Sequence, residues 1–176
     1  IFDYLETQKI PSNNGLLKTE PFFTTTSDLS AFSQPRAVLF EQTDCPDCDT
    51  FHRCVLALDS VRERFTPFET IQLDLWSKEP ITAPNGELTT ARDYAKDLNI
   101  TYAPSLIFFD EQGREIIRVD SQLRSFHTEA VLEYVADAVY LREPNFQRYI
   151  EERGDRIRAQ GDQGRTLGTR DICPDL

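Results

Sequence analysis

The sequence predicts an α/β fold, a central mixed β-sheet flanked by helices, from three observations. Residues Ala37, Val38, Leu39 and Phe40 form a short continuous apolar run, the pattern of a strand buried on both faces. Directly after it come a turn containing Cys45-Pro46-Asp47-Cys48 and an apolar stripe at helical spacing, Phe51, Cys54, Val55, Leu58 and Val61, expected to run to about Arg64. Strand and helix patterns then alternate to about Leu141, the order that builds a sheet with helices laid against it.

Residues 1–21 mix apolar residues with Pro11, Asn13, Asn14 and Gly15 and predict a short element followed by a loop. Ser27 to Phe32 predicts a short helix with Ser27 as its N-cap, and Pro35 leads the chain into the first strand. Beyond the motif helix, Ile71, Leu73 and Leu75 alternate with polar residues, a strand pattern over Phe68 to Leu75. Trp76 to Gly86, with Pro80, Pro84 and an Asn85-Gly86 turn, is expected as an insertion at the end of that second core strand. Thr90 to Leu98 predicts a helix capped by Thr90 with Asp93 three residues on, its inner face carrying Ala91, Tyr94, Ala95 and Leu98. Ser105 to Phe109 then reads as a strand, Asp110 to Gly113 as a turn, and Arg114 to Val119 as the hairpin partner. His127 to Leu141 is an amphipathic helix through Val131, Leu132, Val135, Ala138 and Val139, and Pro144 is expected to open a last helix ending near Gly161. These patterns divide the chain into an N-terminal extension (1–24), a main domain (25–141), a C-terminal helical extension (142–161) and a mobile tail (162–176) too poor in apolar residues to pack by itself.

A chain of 176 residues, 39% of them hydrophobic, can build its core without disulfide staples. Two of its four cysteines stand in Cys-x-x-Cys, which fits a redox dithiol with two further cysteines better than a structural framework. Cys54 falls on the helix stripe and reads as a small core residue, and Cys173 reads as an exposed bystander; a Cys54–Cys173 bridge is the alternative, since spacing does not fix connectivity. The formal net charge of −11 argues against nucleic acid and anionic membrane surfaces as partners and favours a basic or neutral protein. No apolar run approaches the roughly 18 residues of a transmembrane helix. The sequence starts at Ile1 and has no methionine, which places the natural start upstream; a removed export signal and a trimmed chain both account for this.

Position dictates the chemistry of the motif. At or just before the first helical turn, the Cys45 sulfur meets unpaired backbone N–H groups and the positive end of the helix dipole, which favour thiolate over thiol. Cys48 is three positions on, one turn along the same face, within reach of a mixed disulfide formed at Cys45. Pro46 fits there because a first-turn residue has no helical partner for the N–H that proline lacks. Asp44, Asp47 and Asp49 suit a helix start, yet three carboxylates around a thiol also disfavour its thiolate. Glu41 shares the strand face of Leu39 and is the candidate to take the Cys48 proton during resolution; a solvated strand-end glutamate is the other reading. Cys45, Cys48 and His52 can share one helical face, but a structural zinc site takes four ligands and no second Cys-x-x-Cys or His pair occurs. No metal is therefore expected, and His52 reads as a helix-surface residue.

The order of strand, Cys-x-x-Cys, helix, strand, helix, Ala-Pro, strand, Gly turn, strand and helix resembles the thioredoxin fold over roughly residues 25 to 141. Phe40-Glu41-Gln42 before the motif, Leu75-Trp76, Tyr102 to Leu106 with Phe108 to Asp110, and Phe146 to Tyr149 are similar to the SoxW-like bacterial thioredoxins, exported thiol reductases associated with sulfur-compound metabolism. The resemblance implies a thiol-disulfide oxidoreductase without cofactor, with Cys45 attacking and Cys48 resolving. It implies a cis peptide before Pro104 and pairing of Ala103 with an extended substrate, with Pro46 and Asp47 beside it in the substrate-contacting set. It also implies a disulfide-bearing protein or small-molecule substrate, a membrane thiol reductant as electron donor, a periplasmic location and a monomer. An oxidase or isomerase of the same fold, and a binding module with an incidental dithiol, are the alternatives. Two departures stand out: Asp44 replaces the tryptophan usual before the first cysteine, and Leu39 replaces the buried aspartate six residues before it.

Overall fold

The computed structural model of the chain describes residues 15–31, 34–121 and 124–161. Its centre is a four-stranded sheet in the order β2-β1-β5-β6. Strand β1 (Arg36–Glu41) runs parallel to β2 (Glu69–Asp74) and antiparallel to β5 (Ser105–Phe109), which pairs antiparallel with β6 (Glu115–Val119). The sheet is mixed, as expected. Every residue of β1 and β5 is buried, because both strands are central and both sheet faces are covered.

Alternation along these strands separates two cores. Ala37, Leu39, Leu106 and Phe108 face a layer made by α1 (Pro46–Phe51), α2 (Asp59–Phe65), α4 (Ser125–Ala136) and α5 (Phe146–Ala159). Val38, Phe40, Ile107 and Phe109 face the other way, toward α3 (Ala91–Asp97) and Leu29. Glu41 continues the Ala37 and Leu39 parity, so its carboxylate is directed into the layer of the motif helix.

Thr90 caps α3, accepting the Asp93 N–H at 3.1 Å, and Ala91, Tyr94 and Ala95 are buried as the pattern predicted. The hairpin turn places Gly113 at φ 74°, a left-handed conformation that glycine adopts without a Cβ penalty. Helix α4 stops at Ala136 rather than Leu141: Ala138 takes a left-handed conformation (φ 49°) and Val139–Leu141 forms a single 3-10 turn. The last helix is capped by Asn145, which accepts the Arg148 N–H at 3.1 Å, and not started by Pro144.

Three expectations fail for tertiary reasons. The helix from Ser27 is absent over 27–31; Asp28 accepts the Ser30 N–H at 2.8 Å, and Leu29 donates to Thr82 O at 2.8 Å. Those backbone groups are satisfied by a local turn and by the edge of β3 (Pro80–Thr82), leaving no need for helix. The expected insertion after β2 is present, and in it β3 pairs antiparallel with β4 (Leu88–Thr90) around the turn at Gly86. The motif helix is not continuous to Arg64, because a π-helical turn (His52–Leu56) follows α1 and the chain restarts at Leu58 as α2. That turn breaks the 3.6-residue register, so Leu58 is 39% exposed while His52 and Leu56 point inward. Cys54 is half-buried on the same turn and disulfide-bonded, which corrects its reading as a spare core thiol. Cys173, the expected tail and residues 1–14 lie outside the described residues.

Helix α5 docks through Arg153, whose Nε donates to Glu133 Oε2 at 2.6 Å, while Arg64 Nε donates to Glu133 Oε1 at 2.8 Å. Burial alone would raise the Glu133 pKa, but the hydrogen bonds and charges of Arg153 and Arg64 outweigh it and hold it below the ordinary 4.5. A carboxylate with a depressed folded-state pKa stabilises the fold above its unfolded value, and that stability is lost as pH falls through the folded value. The urea midpoint is therefore expected to drop as pH is lowered below 4.5. Glu133→Gln should flatten part of that drop, and an unchanged pH dependence would show that the pair does not tie α5 to the domain.

Candidate active site

The motif sits where β1 ends. Asp44 adopts φ 54°, a left-handed turn that swings the chain from the sheet into α1. Cys45 is the N-cap of α1, with extended backbone (φ −115°, ψ 97°), and its sulfur accepts the Cys48 N–H at 3.1 Å. One of the orphan donors of the helix start is thus aimed at Cys45 Sγ. Cys45 and Cys48 are joined in a disulfide with their Cα atoms 5.2 Å apart. Accessibility does not separate the two, at 7% and 5%. What distinguishes them is that the helix-start N–H points at Cys45.

Three contacts hold the surroundings of the disulfide. Ala103-Pro104 is a cis peptide, and the Ala103 carbonyl oxygen lies 3.7 Å from Cys45 Sγ. The Tyr102 hydroxyl donates to Asp47 Oδ2 at 2.7 Å, joining the motif to the turn before Pro104. That hydrogen bond, with burial and the Asp47 charge adding to it, raises the Tyr102 pKa and keeps the phenol protonated. On the far side the Trp76 indole donates to Gln42 Oε1 at 2.9 Å. Beside Ala103 opens a cavity of about 340 Å³ walled by Leu75, Trp76, Arg92, Ile100 and Tyr102. Cys45, Cys48, Ala103, Pro104, Pro46 and Asp47 are thereby brought to one end of the sheet, with Pro46 and Asp47 exposed.

Glu41 lies behind the disulfide rather than at a solvated strand end. It is 1% exposed and lines, with Cys48, a second cleft of about 250 Å³. Its Oε2 accepts from His52 Nε2 at 3.0 Å and from Gln72 Nε2, while the buried Oε1 has no hydrogen-bond partner among the described residues. His52 is only 2% exposed, which corrects its reading as a surface residue. Its other nitrogen, Nδ1, meets Glu20 Oε1 at 2.8 Å, and Arg62 holds Glu20 Oε2 at 3.3 Å. Burial pushes the imidazole toward its neutral form, but the hydrogen bonds and charges of Glu41 and then Glu20 reverse that, so the His52 pKa is raised. The two sulfurs are bonded to each other and both His52 ring nitrogens lie on carboxylates.

Sequence reasoning missed Glu20, Gln72 and the inward turn of His52. The signal available was parity: Glu41 faces the motif helix, and a buried carboxylate there calls for a donor on that helix.

A thioredoxin-fold protein from Helicobacter pylori superposes with a TM-score of 0.68 at 15% identity, covering 76% of this chain and 92% of that one. A thioredoxin from Thermus thermophilus gives a TM-score of 0.46 at 18% identity, over 58% of this chain and 73% of that one. Thioredoxin O2 from Arabidopsis thaliana in its oxidized state gives 0.44 at 16%, over 59% and 76%. At such identities the Helicobacter likeness speaks for the fold. No curated protein matches the chain. The model of the Thioredoxin-like domain family matches residues 24–136, the stretch that holds β1, the Cys-x-x-Cys helix, the Ala103-Pro104 turn and the sheet, and the chain belongs to that family.

Proposed function

We propose that this protein is a thiol-disulfide reductase of the SoxW-like kind, exported to the periplasm, acting without a cofactor on disulfides of proteins or small molecules. The observation that carries the reading is the Cys45–Cys48 disulfide at a helix N-terminus, with Cys45 Sγ against the Ala103 carbonyl. The reduced protein attacks a substrate disulfide through the Cys45 thiolate, and the first substrate sulfur leaves as thiolate. Cys48 gives its proton to Glu41 and attacks Cys45 Sγ; the second substrate sulfur departs and takes that proton, leaving the disulfide in the protein. A membrane dithiol returns two electrons to it by the reverse steps. An extended substrate strand pairs with Ala103 beside Pro104, Pro46 and Asp47 form the other lip, and a neighbouring side chain enters the Trp76 cavity. The monomer suffices, since both thiols and the Ala103 edge come from one chain.

Reduction of insulin disulfides under dithiothreitol tests this reading. The expected result is turnover well above the uncatalysed rate. Absence of turnover from a folded, fully reduced protein would favour a binding module instead.

A further inference from the structure

Three residues that lead to Glu41 go unused by the steps above: Glu20 and His52, buried behind Cys48, and Arg62, which holds Glu20 from the exposed side. Such a chain is costly to bury. Two carboxylates and an imidazole, each 8% exposed or less, have been withdrawn from water, where an apolar core would have served stability as well or better. It is also unevenly satisfied. Both His52 nitrogens and both Glu20 oxygens have partners, and Glu41 Oε2 has two, yet the buried Glu41 Oε1 has none among the described residues. The unpartnered oxygen belongs to the residue that shares a cleft with Cys48.

We propose that His52 is a positioning residue for disulfide exchange: it anchors Glu41 through Oε2 and leaves Oε1 to accept the Cys48 proton, while Glu20 and Arg62 hold the imidazole in place. This inference rests on the reductase reading and gives a physical reason why the proton acceptor can be a glutamate on β1 where thioredoxins resembled by this chain carry an aspartate two residues earlier. The proton balance closes within the cluster. Glu41 takes one proton from the Cys48 thiol, Cys48 thiolate forms the bond to Cys45 as the Cys45–substrate bond breaks, and the departing substrate thiolate takes that proton back.

Among the described residues, the charged groups around His52 are Lys18 and Glu20 of the segment before β1, Glu41 of β1, Asp44 and Asp49 of the motif, and Arg62 of α2. Carboxylates outnumber cations there, which agrees with the raised His52 pKa. The Nε2–H of His52 donates to Glu41 Oε2, and His52→Gln removes that donor and its charge from beside the group that accepts the Cys48 proton.

The test is the pH profile of resolution, read as single-turnover release of substrate from the mixed disulfide at Cys45. In His52→Gln the acidic limb should move to higher pH, with release at pH 7 slowed about tenfold for each pH unit of displacement. Glu20→Gln, which keeps the ring but removes one of its two carboxylates, should move the limb the same way by less, and it carries the test where His52→Gln does not fold. Loss of stability with an unchanged profile in either folded variant would overturn the inference and leave His52 a packing residue. If the wild type forms no mixed disulfide, the reductase reading itself fails; if it forms and resolves one identically in all three proteins, this inference alone fails.

Discussion

Cys45→Ser is expected to abolish disulfide exchange, a loss of about three orders of magnitude or more, because a serine hydroxyl at neutral pH is no substitute for a thiolate nucleophile. Cys48→Ser should behave differently. It keeps the attacking sulfur and its N–H donor, so the first step proceeds and the reaction stops at a covalent adduct. The structure supports this division through the N-cap position of Cys45 and the 3.1 Å hydrogen bond from the Cys48 N–H, and not through exposure, which is nearly equal for the two. Non-reducing gels and intact mass after mixing with a disulfide substrate read the result directly. Trapping by Cys48→Ser alone is expected, and equal trapping by Cys45→Ser would reverse the roles.

Much of the fold was legible in local pattern. The apolar run from Ala37 to Phe40 could only be a strand covered on both faces, and Thr90 with Asp93 marked a helix start that the structure reproduces to the residue. The cysteine pair, the turn before Pro104 and the placement of Glu41 on the helix-facing side of β1 were legible as well. What was hidden depended on contacts between distant segments. The turn at Asp28 is held by Thr82, fifty-odd positions away, so its capping residues misled toward a helix. The π-helical turn at His52–Leu56 carries no composition of its own; it exists where packing of Leu56 and the carboxylates on His52 outweigh one turn of regular hydrogen bonding. Glu20 was illegible for the same reason, since nothing in its neighbourhood announces that a loop residue will close over the back of the motif helix.

The second large effect concerns the direction of electron flow. Potentials in proteins of this fold run from about −120 mV for strong oxidants, whose thiolate is heavily favoured, to about −270 mV for thioredoxin. Here Asp44, Asp47 and Asp49 surround the thiols, exposed but close, and Glu41 lies behind them. Against them, among the described residues, the cleft holds Lys18 and His52, whose two ring nitrogens are already engaged by Glu20 and Glu41. Tyr102 donates to Asp47, which draws off part of that one charge and leaves the others. Carboxylates thus outweigh cations at the sulfur, the thiolate is less stable, and the dithiol gives up its electrons more readily. Each ~30 mV corresponds to ~1.4 kcal/mol, within reach of one or two partly screened charges. Asp47→His, which removes a negative charge and frees Tyr102, should shift the couple toward the oxidants by a few tens of mV on the same scale. Equilibration of the Cys45/Cys48 couple in glutathione buffers, followed by thiol alkylation, measures the potential itself: a value below about −200 mV is the result predicted for a reductant, and a value near −120 mV would contradict it.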